Sequence, residues 1–583
     1  MIDKGTKNKT GWNLLLSLLL TAALFAVAAL LYRFTYGVID DPFITTVLNG
    51  AYTGTPDAHV VYIKYPLAWI FMTLFRIIPS VNWHFLYLTG CFAVCIFAVN
   101  YRICSNVKKI LPKIIFCILF MLLFWLCMAK MILTAHYSMC AATLAATGLF
   151  CFGTIRPDCS KGARVLNIFF VLLLLWNAYA LRARTLFMLL PLGGVLFLYQ
   201  FFREKPYFSF RNLVRWLSIP ILLFIGLGAI ELVHNAQYRD KAWQEFLSFN
   251  DARTTLYDFY GLPEYEKNKD FYQSLNISGA REYMYEKYYL EFQDNVPEDA
   301  LSRIADHRVE EYKQDMPTGK RIVETLKALF PNLALKTYLP VSWICGAAFF
   351  IFLLIALIMA KWRLVWTLVL GIIASLIPWL WMIYMGKPTS RVTMGIWAAD
   401  LLFLAALLIS NSDRIKEWVE EKSVLCYILS VIVAALLVFG IVRGYGKIAS
   451  AQEKTISSGL ARSSLENYCE SHPENLYICE SEIVNGLGFD VRAVDNSLQN
   501  LYWPGGWTAK MAQSKEIWAR FGISDIEKAA AQDDNVYIVA FEETDMDYWT
   551  DFYREQYPGI VLKETERIEC DQIPFKVYQL QER

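Results

Sequence analysis

The chain has 583 residues, of which 56 % are hydrophobic and 19 % are charged, with a formal net charge of +1. Soluble domains contain about 45–50 % apolar and about 25 % charged residues, so this composition excludes an ordinary soluble enzyme. Because the chain has no basic surplus, nucleic acid is not an expected partner.

About eleven apolar stretches are long enough to cross the roughly 30 Å hydrocarbon core of a bilayer, since a helical span needs about 20 mostly apolar residues. The third and fourth stretches are close together in the chain, as are the fifth and sixth, so each pair is predicted to form a tight hairpin. The predicted spans are residues 12–32, 81–103, 111–127, 135–155, 165–181, 185–202, 213–233, 338–360, 364–385, 392–409 and 424–442.

The charges of the short loops predict how these spans are threaded. Lys and Arg accumulate in cytoplasmic loops. With the N-terminus inside, the inner segments carry a clear excess of Lys and Arg over the outer short loops. We therefore predict a multi-pass protein of the cell membrane with a cytoplasmic N-terminus and an extracytoplasmic C-terminus.

Three polar pieces then lie outside: the loops at about residues 33–80 and 234–336, and the tail at residues 443–583. In the tail, short apolar runs at 476–479, 536–540, 560–562 and 575–578 predict strands, with helical patterns near 509–521 and 545–557. The predicted fold class is a polytopic α-helical membrane protein. It has a transmembrane domain at residues 1–442 and a small C-terminal extracytoplasmic α/β domain.

The strongest local signal is Asp40-Asp41-Pro42, close to the outer end of the first span. Two adjacent carboxylates at a membrane edge are hard to desolvate, so they normally face water, a cation or a reacting group. The alternative is a solvated helix start, because acidic residues and Pro both suit a helix N-terminus. The turn-rich residues 48–57 and an amphipathic stretch after them favour helices that lie on the outer surface.

His59, Lys64 and Tyr65 lie between these loop helices and are candidate substrate contacts. A His and a Lys at this place can meet a ligand phosphate or a metal, although each also occurs at interfaces as a solvated or snorkelling side chain. No spacing typical of a structural zinc site is present. No cofactor is predicted, and a divalent metal held by Asp40 or Asp41 with His59 stays open.

The acidic pair after the first span, the outer loop of surface helices, the tight hairpins and the soluble outer tail together resemble the GT-C type membrane glycosyltransferases. The resemblance covers about residues 12–442, and the tail with Tyr502-Trp-Pro-Gly-Gly-Trp507 is similar to segments appended to uncharacterised bacterial members. That family uses a polyprenyl-phosphate-linked sugar as donor, and an Asp of the first outer loop acts as base. The resemblance implies this role for Asp41 or its neighbour Asp40. The chain lacks a Trp-Trp-Asp type signature of the oligosaccharyltransferase branch, which disfavours peptide Asn as acceptor.

Glycosyl transfer from a phosphate donor needs a carboxylate to deprotonate the acceptor hydroxyl and positive charge for the departing phosphate. Arginine suits the second task because its planar fork meets two phosphate oxygens at once. Arg182, Arg184, Lys387 and Arg391 are candidates for donor-phosphate binding, since they run against the positive-inside trend. Arg253 of the second loop is a candidate substrate contact, with a surface salt bridge as the alternative.

The first functional hypothesis is an inverting glycosyltransferase that moves a hexose or pentose from a polyprenyl-phosphate carrier to an envelope glycopolymer, glycolipid or protein. A polysaccharide polymerase or ligase is the second, and it needs no first-loop carboxylate. The third is a transporter or non-catalytic assembly protein, for which charges near mid-bilayer or broken spans are expected. The sequence has no phosphate-cradling Gly-rich loop and no dinucleotide fingerprint, so ATP and soluble sugar nucleotides are disfavoured.

Overall fold

The computed structural model describes residues 4–156, 159–203, 205–411, 423–489, 491 and 499–582. Within that part of the chain, nine helices are long and apolar enough to cross a membrane. Up to the C-terminal sheet, the elements are α1 (Lys4–Leu31), β1 (Thr35–Tyr36), α2 (Asp40–Asn49), α3 (Tyr65–Ile77), α4 (Trp83–Asn106), α5 (Ile110–Leu133), β2 (Thr134–Ala135), α6 (Tyr137–Gly153), α7 (Lys161–Phe201), α8 (Phe210–Gln237), α9 (Lys241–Arg253), α10 (Lys269–Ser274), α11 (Gly279–Glu286), α12 (Ala300–Asp315), α13 (Thr318–Leu333), α14 (Val341–Ile358), α15 (Trp362–Tyr384), α16 (Ser390–Ser410) and α17 (Ser423–Glu470).

Helix α7 consists of two arms joined at a break. Arg182 has φ −160° and ψ 94°, outside the helical region. A Cβ at Gly148 of α6 would lie 2.9 Å from Leu175 in the first arm, and a Cβ at Gly153 would lie 3.1 Å from Leu196 in the second. In one straight helix those leucines would be about 30 Å apart, so the arms fold back on each other. This confirms the predicted hairpin, and each predicted span corresponds to a helix or to an arm of α7.

Helix α6 forms the centre of the bundle. Nearly all of its side chains are buried, and many belong to Ala, Gly or Thr. Small residues let neighbouring backbones approach closely in a membrane. A Cβ at Gly395 of α16 would lie only 2.4 Å from the Cβ of Ala142. The hydroxyls of Thr143 and Thr147 donate to carbonyl oxygens one turn earlier, so these buried groups are satisfied within the helix.

We call the end of the bundle at which α1 ends and α6 begins the loop side. There β1 pairs in parallel with β2, and Thr35 lies opposite Thr134. The backbone N–H of Lys64, just before α3, donates to the carbonyl of Ala180 near the break in α7 at 2.7 Å. Helices α2 and α3 of the first loop and α9–α13 of the second therefore gather over this end. That the loop side is extracytoplasmic stays a prediction.

The C-terminal region is a mixed five-stranded sheet with short helices, which confirms the predicted α/β character. Its sheet order is β4-β3-β5-β7-β6, parallel from β4 to β5 and antiparallel from β5 to β6. The four predicted strands are present, and β4 is an additional strand. The predicted domain boundary after residue 442 falls inside α17, so a division there stays a prediction. The elements are β3 (Leu476–Cys479), α18 (Ser481–Gly486), β4 (Leu501–Tyr502), α19 (Ser514–Arg520), α20 (Ile526–Gln532), β5 (Val536–Phe541), α21 (Asp547–Arg554), β6 (Ile560–Cys570) and β7 (Ile573–Glu582).

Buried polar contacts dock the C-terminal region on the loop side. Arg281 of α11 and Glu527 of α20 form an ion pair at 2.7 Å, with both side chains almost fully buried. Gln513 donates to Asp57 of the first loop at 2.6 Å. A buried charge that loses its partner is strongly destabilising. The ion pair therefore ties the second loop firmly to the C-terminal region.

Candidate active site

A cavity of about 1590 Å³ opens between the loop side of the bundle and the C-terminal region. Small-molecule pockets are typically about 300–1,000 Å³, so this one has room for two substrate groups. Its wall includes the start of α2, the break in α7, the start of α16 and the segment before α19. Its charged lining residues, mostly cationic, are Asp40, Lys64, Arg182, Arg184, Asp251, Arg253, Asp258, Lys387 and Arg391.

The two adjacent carboxylates of α2 face in different directions. Successive helical residues point about 100° apart, and only Asp40 lines the cavity. Asp41 is fully buried behind it, where the backbone N–H of Tyr137 donates to its carboxylate at 3.3 Å. His84 Nε2 lies 3.7 Å from the same carboxylate. Of the two carboxylates that are candidates for the base, Asp40 lines the cavity and Asp41 does not, so Asp40 is the one that a substrate in the cavity can reach.

The two carboxylates also differ in their protonation. Burial raises the pKa of Asp40, although the positive charges of Arg391 and Arg182 oppose the rise. Burial raises the pKa of Asp41 well above its usual range, and the charge of Asp40 adds to the effect. Two carboxylates this close do not ionise together easily, and the more buried one keeps its proton. Asp40 is thus the member of the pair that is ionised first.

Arg182 lines the cavity at the break in α7. Its guanidinium lies over the ring of Tyr62 at 4.9 Å and over the ring of Tyr137 at 5.3 Å. The two rings stack on each other with centroids 5.3 Å apart. Such cation–π contacts attract the guanidinium to the aromatic rings. Within the described residues Arg182 has no hydrogen bond or ion pair with another protein group, so its N–H donors are available to a ligand anion.

Arg391 lines the same cavity from the first turn of α16. Its charge, followed by that of Arg182, lowers the pKa of Asp40 most strongly among the charged neighbours. Arg184 also lines the cavity and is exposed. In the part of the chain that the structure describes, the guanidinium groups of Arg391 and Arg184 form no hydrogen bond or ion pair. All four predicted phosphate-binding residues, Arg182, Arg184, Lys387 and Arg391, therefore line the same cavity as Asp40.

Lys387 and Arg253 line the cavity as well, but protein groups already engage them. Lys387 Nζ lies 2.6 Å from the carboxylate of Asp258. Arg253 is 5 % exposed, and its Nε donates to Asn250 at 2.9 Å. Arg253 leads into the π-helical turn Thr254–Tyr260, and such turns are frequent at functional sites. The ion pair of Lys387 therefore joins the start of α16 to the second loop.

Of the three first-loop residues predicted to contact substrate, only Lys64 lines the cavity. Its ammonium group is paired with Glu231 at 2.7 Å. The ring of His59 instead stacks on the ring of Trp243 in α9, with the ring centroids 4.6 Å apart. The ring of Tyr65 lies edge-on to the ring of His59, with centroids 5.1 Å apart. His59 and Tyr65 therefore pack beside this cavity without lining it, and their role as substrate contacts stays a prediction.

The donor set does not fit a divalent metal. Among the described residues, no three His, Cys, Asp or Glu side chains are grouped closely enough to hold a metal ion. The combination of Asp40 or Asp41 with His59 is not formed, because the ring of His59 packs on Trp243.

Sequence reasoning missed the aromatic part of the cavity. Tyr62, Tyr137, Trp503 and Trp507 all line it. Trp507 and Tyr62 lie with their ring centroids 5.5 Å apart. The two Trp residues belong to the Tyr-Trp-Pro-Gly-Gly-Trp segment that stands out in the tail. No sequence pattern, however, predicts that this segment and the first loop line the same cavity.

The fold and the site together define a polytopic membrane protein with a cationic loop-side cavity. In that cavity, Asp40 lies among arginines whose guanidinium groups have no hydrogen-bond or ion-pair partner in the described residues, and Asp251 and Asp258 of the second loop line the same cavity. A general base beside guanidinium groups is what transfer from an anionic substrate requires.

Comparisons with known proteins show a distant likeness. No protein-family model and no curated protein matches the sequence. The crystal structure of ArnT from Cupriavidus metallidurans bound to undecaprenyl phosphate is similar to this chain at 11 % sequence identity and a TM-score of 0.35. The match covers 97 % of this chain and 98 % of that chain. A likeness at this TM-score carries no conclusion about activity, so the function proposed below rests on the residues of the cavity.

Proposed function

We propose that the chain is a membrane glycosyltransferase that moves a sugar from a polyprenyl-phosphate donor to a hydroxyl group of an extracytoplasmic cell-envelope acceptor. The observation that carries this proposal is that Asp40, Arg182 and Arg391 line one cavity at the ends of the membrane helices. This transfer needs a base beside cations, and the guanidinium groups of Arg182 and Arg391 have no hydrogen-bond or ion-pair partner within the described part of the chain.

A lipid-linked donor suits the position of the cavity. Its wall includes Phe187 of α7 and Trp381 of α15, which are both about half exposed on the surface of the bundle. A polyprenyl chain that stays in the bilayer can therefore bring its phosphate to the cavity from the side. Arg182, Arg184 and Arg391 are proposed to bind that phosphate, because each guanidinium can offer two parallel N–H donors.

In the proposed reaction, Asp40 takes the proton of the acceptor hydroxyl as its oxygen attacks the anomeric carbon. The bond from that carbon to the phosphate oxygen breaks, and the phosphate leaves with the bonding electrons. Arg182 and Arg391 stabilise the negative charge that grows on the phosphate. A single displacement inverts the anomeric carbon. Asp41 has a positioning role here, because its bond to the Tyr137 N–H ties the start of α2 to the start of α6.

The alternatives make different demands on the cavity. A polymerase or ligase needs no first-loop carboxylate, so Asp40 favours transfer with a base. One observation favours a transporter: Asp400 of α16 is buried within a membrane helix, and Ser375 donates to one of its oxygens while the other has no hydrogen-bond partner among the described residues. Asp400 does not line the cavity that holds Asp40. The transporter therefore remains the second candidate.

The orientation belongs to the same proposal. We place the loop side and the C-terminal region outside the cytoplasm, because Lys and Arg are scarcer in the short loops of that side. A reporter fused after Arg583 should then be active only outside the cytoplasm. Cytoplasmic activity of this fusion would contradict both the orientation and an envelope acceptor.

The function is tested by transfer of labelled sugar from polyprenyl-phosphate donors by purified protein in detergent or nanodiscs. The wild type should transfer sugar, and Asp40→Asn should lose about 10²- to 10⁴-fold in turnover. The control Asp240→Asn, which changes an exposed carboxylate away from the cavity, should transfer normally. Normal transfer by an Asp40→Asn, Asp41→Asn double variant would contradict the mechanism in which a carboxylate is the base. No transfer and no donor hydrolysis by the wild type would put the transporter ahead.

A further inference from the structure

The segment Leu501–Lys510, which we call the strap, runs from the edge strand of the C-terminal sheet along the wall of the cavity. Trp503, Gly506 and Trp507 of the strap all line the cavity. None of these three residues is charged. The strap wall therefore differs from the wall formed by the membrane helices, where the arginines lie.

One carboxylate from the second loop holds the strap at both ends. Glu291 is 6 % exposed, and the hydroxyl of Tyr502 donates to its Oε2 at 2.5 Å. The backbone N–H of Lys510 donates to its Oε1 at 2.6 Å. Between these points the N–H of Leu290 donates to the carbonyl of Pro504 at 3.0 Å. These hydrogen bonds to the buried carboxyl group, together with the bond from Leu290, set the path of the strap.

Two glycines let the strap turn sharply at the cavity. A Cβ at Gly505 would lie 2.3 Å from the carbonyl oxygen of Tyr288, and a Cβ at Gly506 would lie 2.4 Å from the ring of Trp503. Gly506 also has φ +65°, which side chains with a Cβ rarely adopt. The Gly-Gly pair therefore allows Trp503 and Trp507 to reach the same wall.

The strap lies beside the proposed base. Phe43 is three residues after Asp40 in α2, so the two side chains share a face of that helix. The ring centroids of Phe43 and Trp503 are 5.8 Å apart. On the other side, Trp507 contacts Tyr62, the residue on which Arg182 rests. The strap therefore packs against the helix that carries Asp40 and against the Tyr62 ring that contacts Arg182.

We propose that the strap forms the acceptor subsite of the cavity and takes a saccharide ring, with Glu291 as the residue that positions the strap. This inference rests on the proposed function. The lipid-linked donor reaches the arginines from the membrane, so the acceptor occupies the uncharged side of Asp40. Aromatic rings suit the apolar C–H faces of a sugar, because the faces of the rings are electron-rich. The hydroxyls of the sugar are then left free to meet Asp40.

The first test measures acceptor and donor separately. Glu291→Gln and Tyr502→Phe keep the size of the side chain but weaken the hold on the strap. Both variants should raise the KM for an oligosaccharide acceptor about tenfold, with an unchanged KM for the donor and unchanged hydrolysis of the donor in the absence of acceptor. An equal change in donor and acceptor KM, or no change in either, would overturn the inference. A wild type that neither transfers nor hydrolyses donor would instead contradict the proposed function.

The second test needs no catalysis. Saturation-transfer NMR of the purified wild type with hexose oligosaccharides of two to four units should show binding. Trp507→Leu should weaken it about tenfold, and Glu291→Gln should weaken it in the same direction. The matched control is Trp69→Leu, which changes a half-exposed Trp of α3 away from the cavity and should bind normally. Binding or labelling of a Ser/Thr peptide in place of the oligosaccharides, or equal binding by all three variants, would contradict a saccharide subsite on the strap.

Discussion

The two walls of the cavity differ in what holds their residues in place. Arg182 and Arg391 belong to membrane helices that pack against the buried centre of the bundle. Trp503 and Trp507 belong to the C-terminal region, and the carboxylate of Glu291 on the second loop sets their path. The comparison indicates that the proposed donor half is built into the bundle, whereas the proposed acceptor half depends on docking between distant segments.

The largest expected effect distinguishes Asp40, which lines the cavity, from Asp41, which is buried behind it. Asp40→Asn should lower turnover by about 10²- to 10⁴-fold, because it removes the proton acceptor. Asp41→Asn keeps the hydrogen bond from Tyr137 and should lose much less. Initial rates at saturating donor, with folding checked by thermal unfolding, measure both. A greater loss in a well-folded Asp41→Asn than in Asp40→Asn would return the base to Asp41.

The docking of the strap wall is tested at the ion pair of Arg281 and Glu527. Glu527→Gln leaves a buried guanidinium without its partner, which typically destabilises by about 3–5 kcal/mol. The C-terminal region should then become sensitive to proteolysis. Transfer to the acceptor should fall more than hydrolysis of the donor. The neighbouring Lys528→Ala removes a solvent-exposed ammonium group from its pair with Asp294 and should change the stability of the protein little. Equal loss of both activities in Glu527→Gln would mean that the walls are not independent.

The membrane-side wall is tested at Arg182. Removal of one charge-assisted contact to the donor phosphate should raise the donor KM of Arg182→Ala by roughly ten- to a hundredfold, with little change in acceptor KM. Arg182→Lys should recover only part of this loss, because a point charge does not reproduce a bidentate contact. Arg239→Ala, at an exposed position away from the cavity, is the control. Unchanged donor kinetics in Arg182→Ala would leave Arg391 as the main phosphate ligand.

The smallest expected effect is on the pH profile. Asp40 acts as a base only when it is deprotonated, so kcat/KM should fall as the pH drops through its raised pKa. Burial raises that pKa, and Arg391 is the strongest opposing charge. Arg391→Ala should therefore shift the acid limb of the profile to higher pH. Profiles of kcat/KM for the wild type and the variant measure the shift. A shift to lower pH, or none, would show that Arg391 does not act on the group that titrates.

Most of the fold followed from local properties of the sequence. Each predicted apolar stretch corresponds to a helix or to an arm of α7, because a membrane span has to be long, apolar and internally hydrogen-bonded. The strands of the tail were also predicted from short apolar runs. The edge strand β4, Leu501–Tyr502, was missed because two residues carry no recognisable pattern. Helix α17 continues from the last membrane span towards the sheet, and its full length was not predicted. Its amino acid composition changes from apolar to polar along its length, whereas its backbone stays helical.

The sequence by itself determined which residue types are available for the site: an acidic pair after the first span, and arginines where the charge rule disfavours them. Only the tertiary structure decided their roles. It turned Asp40 towards the cavity and Asp41 away, since neighbours in a helix face different directions. It also packed His59 on Trp243 and brought Trp503 and Trp507 into the cavity that the arginines line. These outcomes depend on contacts between residues far apart in the chain, and local composition carries no information about such contacts.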